Sequence, residues 1–174
     1  ITVEKLASSN NNIENIIPSA GVLEPNYSNS IDNYLVTVEE DVNMIDFDVI
    51  LESQYATVTG NTNNYLNYGS NNITITVEAE DGSMRVVSIN VIREKNITEI
   101  KVSKEQLIMA VGDTETITTE LIPDDATNKE ISWESKDSSV ATVENGKITA
   151  NKIGTTEIVV SSVKNSSIKK VITV

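Results

Sequence analysis

Apolar and polar residues alternate with a period of two along most of the chain. Ile45, Phe47, Val49 and Leu51 alternate with Asp46, Asp48 and Glu52, and only Ile50 breaks the polar side. Ile73, Ile75, Val77 and Ala79 alternate with Thr74, Thr76 and Glu78, and Val87, Ile89 and Val91 with Ser88 and Asn90. Successive side chains of a strand point to opposite faces, so this pattern predicts strands with one buried and one wet face. No stretch repeats apolar residues at the three- and four-residue spacing of an amphipathic helix. Turn signals separate the runs at Tyr68-Gly69-Ser70, Asp81-Gly82, Val111-Gly112-Asp113 and Asn145-Gly146. Asp-Gly and Asn-Gly favour the tight turns that join antiparallel strands. The chain reads as all-β.

A polar run, Arg93-Glu94-Lys95-Asn96, interrupts the alternation before a new apolar series at Ile97, Ile100 and Val102. Charge shifts at the same place. Residues 1–95 carry 14 acids and 4 bases, a net of −10, and residues 96–174 carry 12 acids and 9 bases, a net of −3. Each half holds six or seven strand candidates, the content of a small sandwich. The expected division is residues 1–9 as the end of a preceding unit or a linker, 10–94 as one sandwich and 95–174 as a second. Ile1-Thr2-Val3 and Ile172-Thr173-Val174 both read as strand ends, so the chain is expected to be a piece of a longer repeat protein.

Composition removes several chemistries. There is no Cys, which excludes disulfides, thiol nucleophiles and thiolate zinc sites, and no His, which excludes Ser-His-Asp triads and histidine metal sites. A net charge of −13 and a pI near 4.3 argue against a nucleic-acid partner, whose phosphates need a basic surface. No stretch approaches the roughly 18–20 apolar residues of a membrane span, and membrane insertion is not expected.

Two resemblances add to this reading. Ile100-Lys101-Val102, Leu107 to Asp113, Ile131-Ser132-Trp133-Glu134-Ser135, Ser139-Val140-Ala141-Thr142-Val143, Asn145 to Ala150 and Gly154 to Val160 follow one another in order. That series resembles the bacterial Ig-like domain family, group 2, over residues 97–174. In the first half, Gly21 to Ser28, Tyr34 to Val38, Gly69 to Val77, Glu80-Asp81-Gly82 and Ile89 to Arg93 resemble the bacterial cadherin-like β-sandwich domain over residues 10–94. Val87 stands where that family usually has Tyr, and the calcium-ligating motifs of animal cadherins are absent. Together the resemblances imply two Ig-like antiparallel β-sandwiches in tandem. Trp133, the single Trp, is expected to fill the core of the second.

Candidate chemistry is sparse. Asp46 and Asp48, two apart on a strand, have a carboxylate spacing that overlaps that of glycoside hydrolases, set against a simple solvated face. The acidic groups Glu39-Glu40-Asp41, Glu80-Asp81 and Asp124-Asp125 lack the alternating pattern of a dedicated calcium loop. They fit turns equally well, and a calcium site would be best placed near Glu94 and Glu99. Tyr55, Tyr65 and Tyr68 flank Asn61, Asn63, Asn64 and Asn67, a composition suited to stacking on and hydrogen-bonding a sugar or protein. The alternative is a polar loop with one Tyr packed inward. Tyr65, Asn67 and Tyr68 are the candidate ligand contacts. The sequons at Asn26, Asn72, Asn96 and Asn165 are what 20 Asn and 36 Ser+Thr produce by chance.

The expected function is a non-catalytic structural or adhesive module of a secreted or cell-surface bacterial protein. The alternative is a carbohydrate-binding accessory module of a large extracellular glycoside hydrolase. No cofactor and no metal are expected. The expected partner is an extracellular protein or a glycan, and the chain is expected to be a monomer within a longer multidomain protein.

Overall fold

Alternating sequences of this kind bury one face only by packing sheet against sheet, and the computed structural model, which describes residues 6–174, does so twice. One compact unit ends at Glu94 and the other spans Lys95–Val174. The first contains β1 (Ile13–Pro18), β2 (Leu23–Glu24), β3 (Asn33–Val38), β4 (Met44–Ile45), β5 (Phe47–Leu51), β6 (Thr57–Thr59), β7 (Asn64–Tyr65), β8 (Gly69–Glu78) and β9 (Met84–Arg93). The second contains β10 (Glu99–Val102), β11 (Thr114–Thr116), β12 (Thr119–Ile122), β13 (Ile131–Ser135), β14 (Ala141–Glu144), β15 (Lys147–Ala150), β16 (Glu157–Ser162) and β17 (Lys169–Thr173). The described residues contain no helix, and therefore none long and apolar enough to cross a membrane.

In the first unit a five-stranded sheet, ordered β2-β3-β9-β8-β6, faces the pairs β1-β5 and β4-β7. Val36, Ile75, Val77, Val87, Ile89 and Val91 meet Ile13, Ile16, Ile45 and Phe47 in one core. The β8–β9 hairpin is the longest ladder, ten residues a side, and closes through Asp81-Gly82 as the alternation predicts. One pairing departs from an antiparallel sandwich: β3 lies parallel to β9, from Asn33 opposite Ser88 to Val38 opposite Arg93. Of the leading nine residues, 1–5 and with them the expected strand end at Ile1-Thr2-Val3 lie outside the described residues. Ser8 and Ser9 are tied to the hairpin, Ser8 O accepting the Asp81 N–H at 3.1 Å and Ser9 O the Ser83 hydroxyl at 3.4 Å.

In the second unit the run Thr114–Ile122 switches partner midway. Its first part, β11, pairs with β15, and its second part, β12, pairs with β10. Between them the Ile117 N–H donates to Gly146 O and the Thr118 N–H to Ser103 Oγ. That layer, completed by β14, faces the sheet β13-β16-β17, which is the strand distribution of a seven-stranded Ig sandwich. Ile100, Ile117, Ile148, Ile158, Val160 and Ile172 form the core. Trp133 does not fill it. It is half-buried, packs against the core from β13 and lies beneath the Asn145-Gly146 turn. The fully buried Ile148, Ile158 and Ile172 take the central volume that was expected of the indole.

Candidate functional site

Tyr65, Asn67 and Tyr68 lie at the end of β7 and on its connection to β8, whereas Tyr55 lies between β5 and β6 and Asn61 and Asn63 between β6 and β7. The backbone of the β7–β8 connection is fixed from several sides. Leu66 is the residue that packs inward, with its N–H donating to Asn43 O at 2.9 Å. The Asn67 N–H donates to Asn71 Oδ1 at 2.9 Å, and Asn71 Nδ2 reaches back to Asn67 O at 2.8 Å, Gly69 O at 2.9 Å and Val91 O at 3.2 Å. Arg93, the last residue of β9, contributes its whole guanidinium. Nε and Nη2 donate to Glu40 O at 3.0 and 2.7 Å, and Nη1 donates to Leu66 O at 2.9 Å. The same group sits 4.4 Å from the centre of the Tyr68 ring, a cation–π contact that orients it.

Neither candidate tyrosine, nor the flanking Tyr55, packs inward. Tyr65 is 78% exposed, Tyr55 52% and Tyr68 47%. Tyr65 stands opposite Met44 in the short β4–β7 ladder. The asparagines divide. Asn61 and Asn64 spend their amides on Phe47 O at 3.2 Å and Gly60 O at 3.1 Å, whereas Asn67 is exposed beside Tyr68. The arrangement is a pinned loop that offers two phenol rings and an amide to solvent, and it contains no acid–base pair. The importance of Arg93 and Asn71 is not visible in the sequence, because their partners are main-chain carbonyls.

Asp46 and Asp48 are not an open carboxylate couple. Asp46 lies between β4 and β5, and its Oδ1 accepts the Asn63 N–H at 2.6 Å. Among the described residues no group of three or more acids gathers as a metal site would require. Several acids close turns instead. Bonds from Ser83, first its hydroxyl and then its N–H, hold the Asp81 carboxyl below the usual aspartate range. The Lys95 ammonium, 2.6 and 2.8 Å from the two oxygens of Asp125, does the same there, as the Ser139 hydroxyl does for Asp137.

A group whose folded pKa is depressed stabilises the fold above its unfolded value and loses that contribution as pH falls through the folded one. Asp125→Asn is therefore expected to be less stable than the parent chain at pH 6. The gap should close as pH drops below the ordinary aspartate value of 3.8. Urea midpoints at both pH values measure this, and a gap that widens in acid contradicts it.

A second surface feature escapes the alternation. Leu107 to Val111 is a run of five apolar residues, and only Leu107 points fully inward. Ile108 is 97% exposed and, with Ile153 at 89%, edges a groove of about 520 Å³. The unbroken apolar run is the signal for it, since a two-faced strand would alternate.

Residues 96–174 match the bacterial Ig-like domain (group 2) family. The second unit is a bacterial Ig-like domain of group 2. The chain is 40% identical over 78 residues to an uncharacterised protein of Clostridium acetobutylicum, a match to 44% of this chain and 8% of that protein. The chain thus spans less than a tenth of that relative's length. Among solved structures, domains 4 and 5 of the S-layer protein SbsC are 10% identical with a TM-score of 0.41, covering 92% of this chain and 96% of theirs. Repeats 22–24 of mouse cadherin-23 are 12% identical with a TM-score of 0.41, covering 89% of this chain and 64% of theirs. The first unit is a β-sandwich by its own sheets and core.

Proposed function

We propose that the chain is a non-catalytic module of a secreted or cell-surface bacterial protein, acting as a spacer or interaction element within a longer polypeptide. The observation that carries this reading is the Ig-like domain over residues 96–174, joined to a second sandwich whose polar side chains are largely spent on turns and main-chain carbonyls. An acidic surface, net −13 overall, keeps such modules soluble and mutually repelling. Under this reading the chain is monomeric, needs no cofactor and is not an enzyme.

The exposed rings of Tyr65 and Tyr68 favour a second reading, in which the first unit contacts a glycan or an extracellular protein through Tyr65, Asn67 and Tyr68. Flat rings stack on sugar faces and bury area at little entropic cost. The purified chain should be applied to arrays of glycans and extracellular-matrix proteins, with calcium and with EDTA. A blank under both conditions is the result expected of a spacer. A signal that falls at least about tenfold in Tyr65→Ala or Tyr68→Ala, the loss of a contact worth roughly 1.4 kcal/mol, replaces it with the binding module.

A further inference from the structure

We propose that the first unit holds a site for a neutral sugar at Tyr55 and Glu52, apart from Tyr65, Asn67 and Tyr68 and resting on neither reading above. Ser8, Asn10, Glu52, Ser53, Gln54 and Tyr55 line a groove of about 440 Å³ between the segment before β1 and the β5–β6 connection. The groove and Tyr68 lie at opposite ends of β8. Tyr68 precedes that strand, whereas the Ser8 N–H donates to Glu80 Oε2 at 3.0 Å just past its other end. Ten strand residues span about 30 Å.

Both walls of the groove are held by the chain itself. On one, Ser53 closes a tight turn, its O accepting the Ala56 N–H and its Oγ the Tyr55 N–H, each at 3.3 Å. That turn sets Gln54 and Tyr55 side by side in solvent. On the other, the Asn10 N–H donates to Ser8 Oγ at 3.2 Å and the Asn12 N–H to Asn10 Oδ1 at 3.0 Å. Glu52 ties the walls together. Its N–H donates to Asn12 O at 3.2 Å, and its Oε2 accepts the Asn12 and Asn10 amides at 2.9 and 3.4 Å. Among the described residues Oε1 accepts no hydrogen bond.

These groups together match one ligand class. A sugar ring has a face of C–H groups that stacks on a phenol, and an edge of hydroxyls that donate to a carboxylate and pair with amides. Charge selects within the class. Glu52 and Glu80 stand at the groove, and residues 1–95 carry a net of −10, so a uronic acid or a sugar phosphate is repelled. An apolar ligand would leave the carboxylate and the amides without partners.

The test is an amide NMR titration of the whole chain with cellotetraose, maltotetraose and N-acetylated chitotetraose, beside tetragalacturonate and tetralysine, each to about 10 mM. At least one neutral tetrasaccharide should shift the amides of residues 8–12 and 52–55, with a Kd of about 1 mM. Tyr55→Ala and Glu52→Gln should each weaken it about fivefold, whereas Tyr55→Phe keeps the ring and the affinity. Both positions are exposed, and unchanged amides along the β8–β9 ladder show that each variant is folded. The proposal is overturned if no neutral tetrasaccharide moves these amides, if Tyr55→Ala binds as the parent does, or if tetragalacturonate or tetralysine binds more tightly than all three. Shifts confined to Tyr65, Asn67 and Tyr68 also overturn it while supporting the binding reading above. A contact this weak does not survive the washing of an array, so the two experiments fail separately.

Discussion

Phe47→Ala is expected to unfold the first unit under conditions where the second stays folded. Phe47 is 1% exposed and heads the fully buried side chains by volume. It opens β5 just after Asp46, with Ile45 and Val49 beside it on the core face. Truncating a buried Phe removes its transfer free energy and leaves a cavity, about 3–5 kcal/mol together. Small domains are stable by only about 5–15 kcal/mol, so the loss is a large share of the total. The aromatic residues provide separate reporters. All five Tyr fall in the first unit, and Trp133 is the one aromatic residue of the second. In urea, the tyrosine transition should move down by about 2 M, given slopes of about 1–3 kcal/mol per molar. The Trp133 transition should hold its midpoint, since the two cores share no residue. A Trp133 midpoint that moves equally far would mean that the two cores unfold as one.

The alternation makes some of this fold legible and leaves other parts hidden for identifiable reasons. Ile73 to Ala79 and Val87 to Val91 show a strict period of two, and they form the central hairpin whose outer face is wet. Ile13–Pro18 is a strand without that signature. A bulge at Glu14 sets Ile13 opposite Leu51 and Asn15 opposite Ile50, so its buried residues are Ile13 and Ile16, three apart. The parallel pairing of β3 with β9 joins residues 55 apart, Asn33 with Ser88, and parallel pairs carry no short turn signal. Trp133 misled because size and rarity say nothing about depth: a half-buried indole can cap a core that isoleucines fill. At the candidate site the tyrosines and asparagines were visible by composition. What holds them was not, because Arg93 and Asn71 act on carbonyls that any residue would supply.

Gly146→Ala should produce the larger loss of two closely matched glycine substitutions in the second unit. Gly146 has φ +83°, and a Cβ added to it would lie 2.6 Å from Ile117 O and 3.2 Å from the Trp133 ring. Ile117 O belongs to the point where β11 gives way to β12, so it cannot retreat without disturbing that layer. The Ile117 N–H also donates to Gly146 O at 2.9 Å, which fixes the turn against the same residue. Gly112 has a similar φ, +93°, but nothing within 4 Å of its added Cβ. Gly112→Ala therefore measures the backbone term alone, about 1–2 kcal/mol for an L-residue in the left-handed region. Gly146→Ala carries that term plus a backbone overlap, for a total of about 3 kcal/mol or more. Trp133 fluorescence in urea reads both variants, and Gly146→Ala should also shift its emission while still folded, because the ring must move. If the two variants lose the same stability, the turn yields as a body, and the contact of Asn145-Gly146 with Ile117 and Trp133 does not define that end of the sandwich.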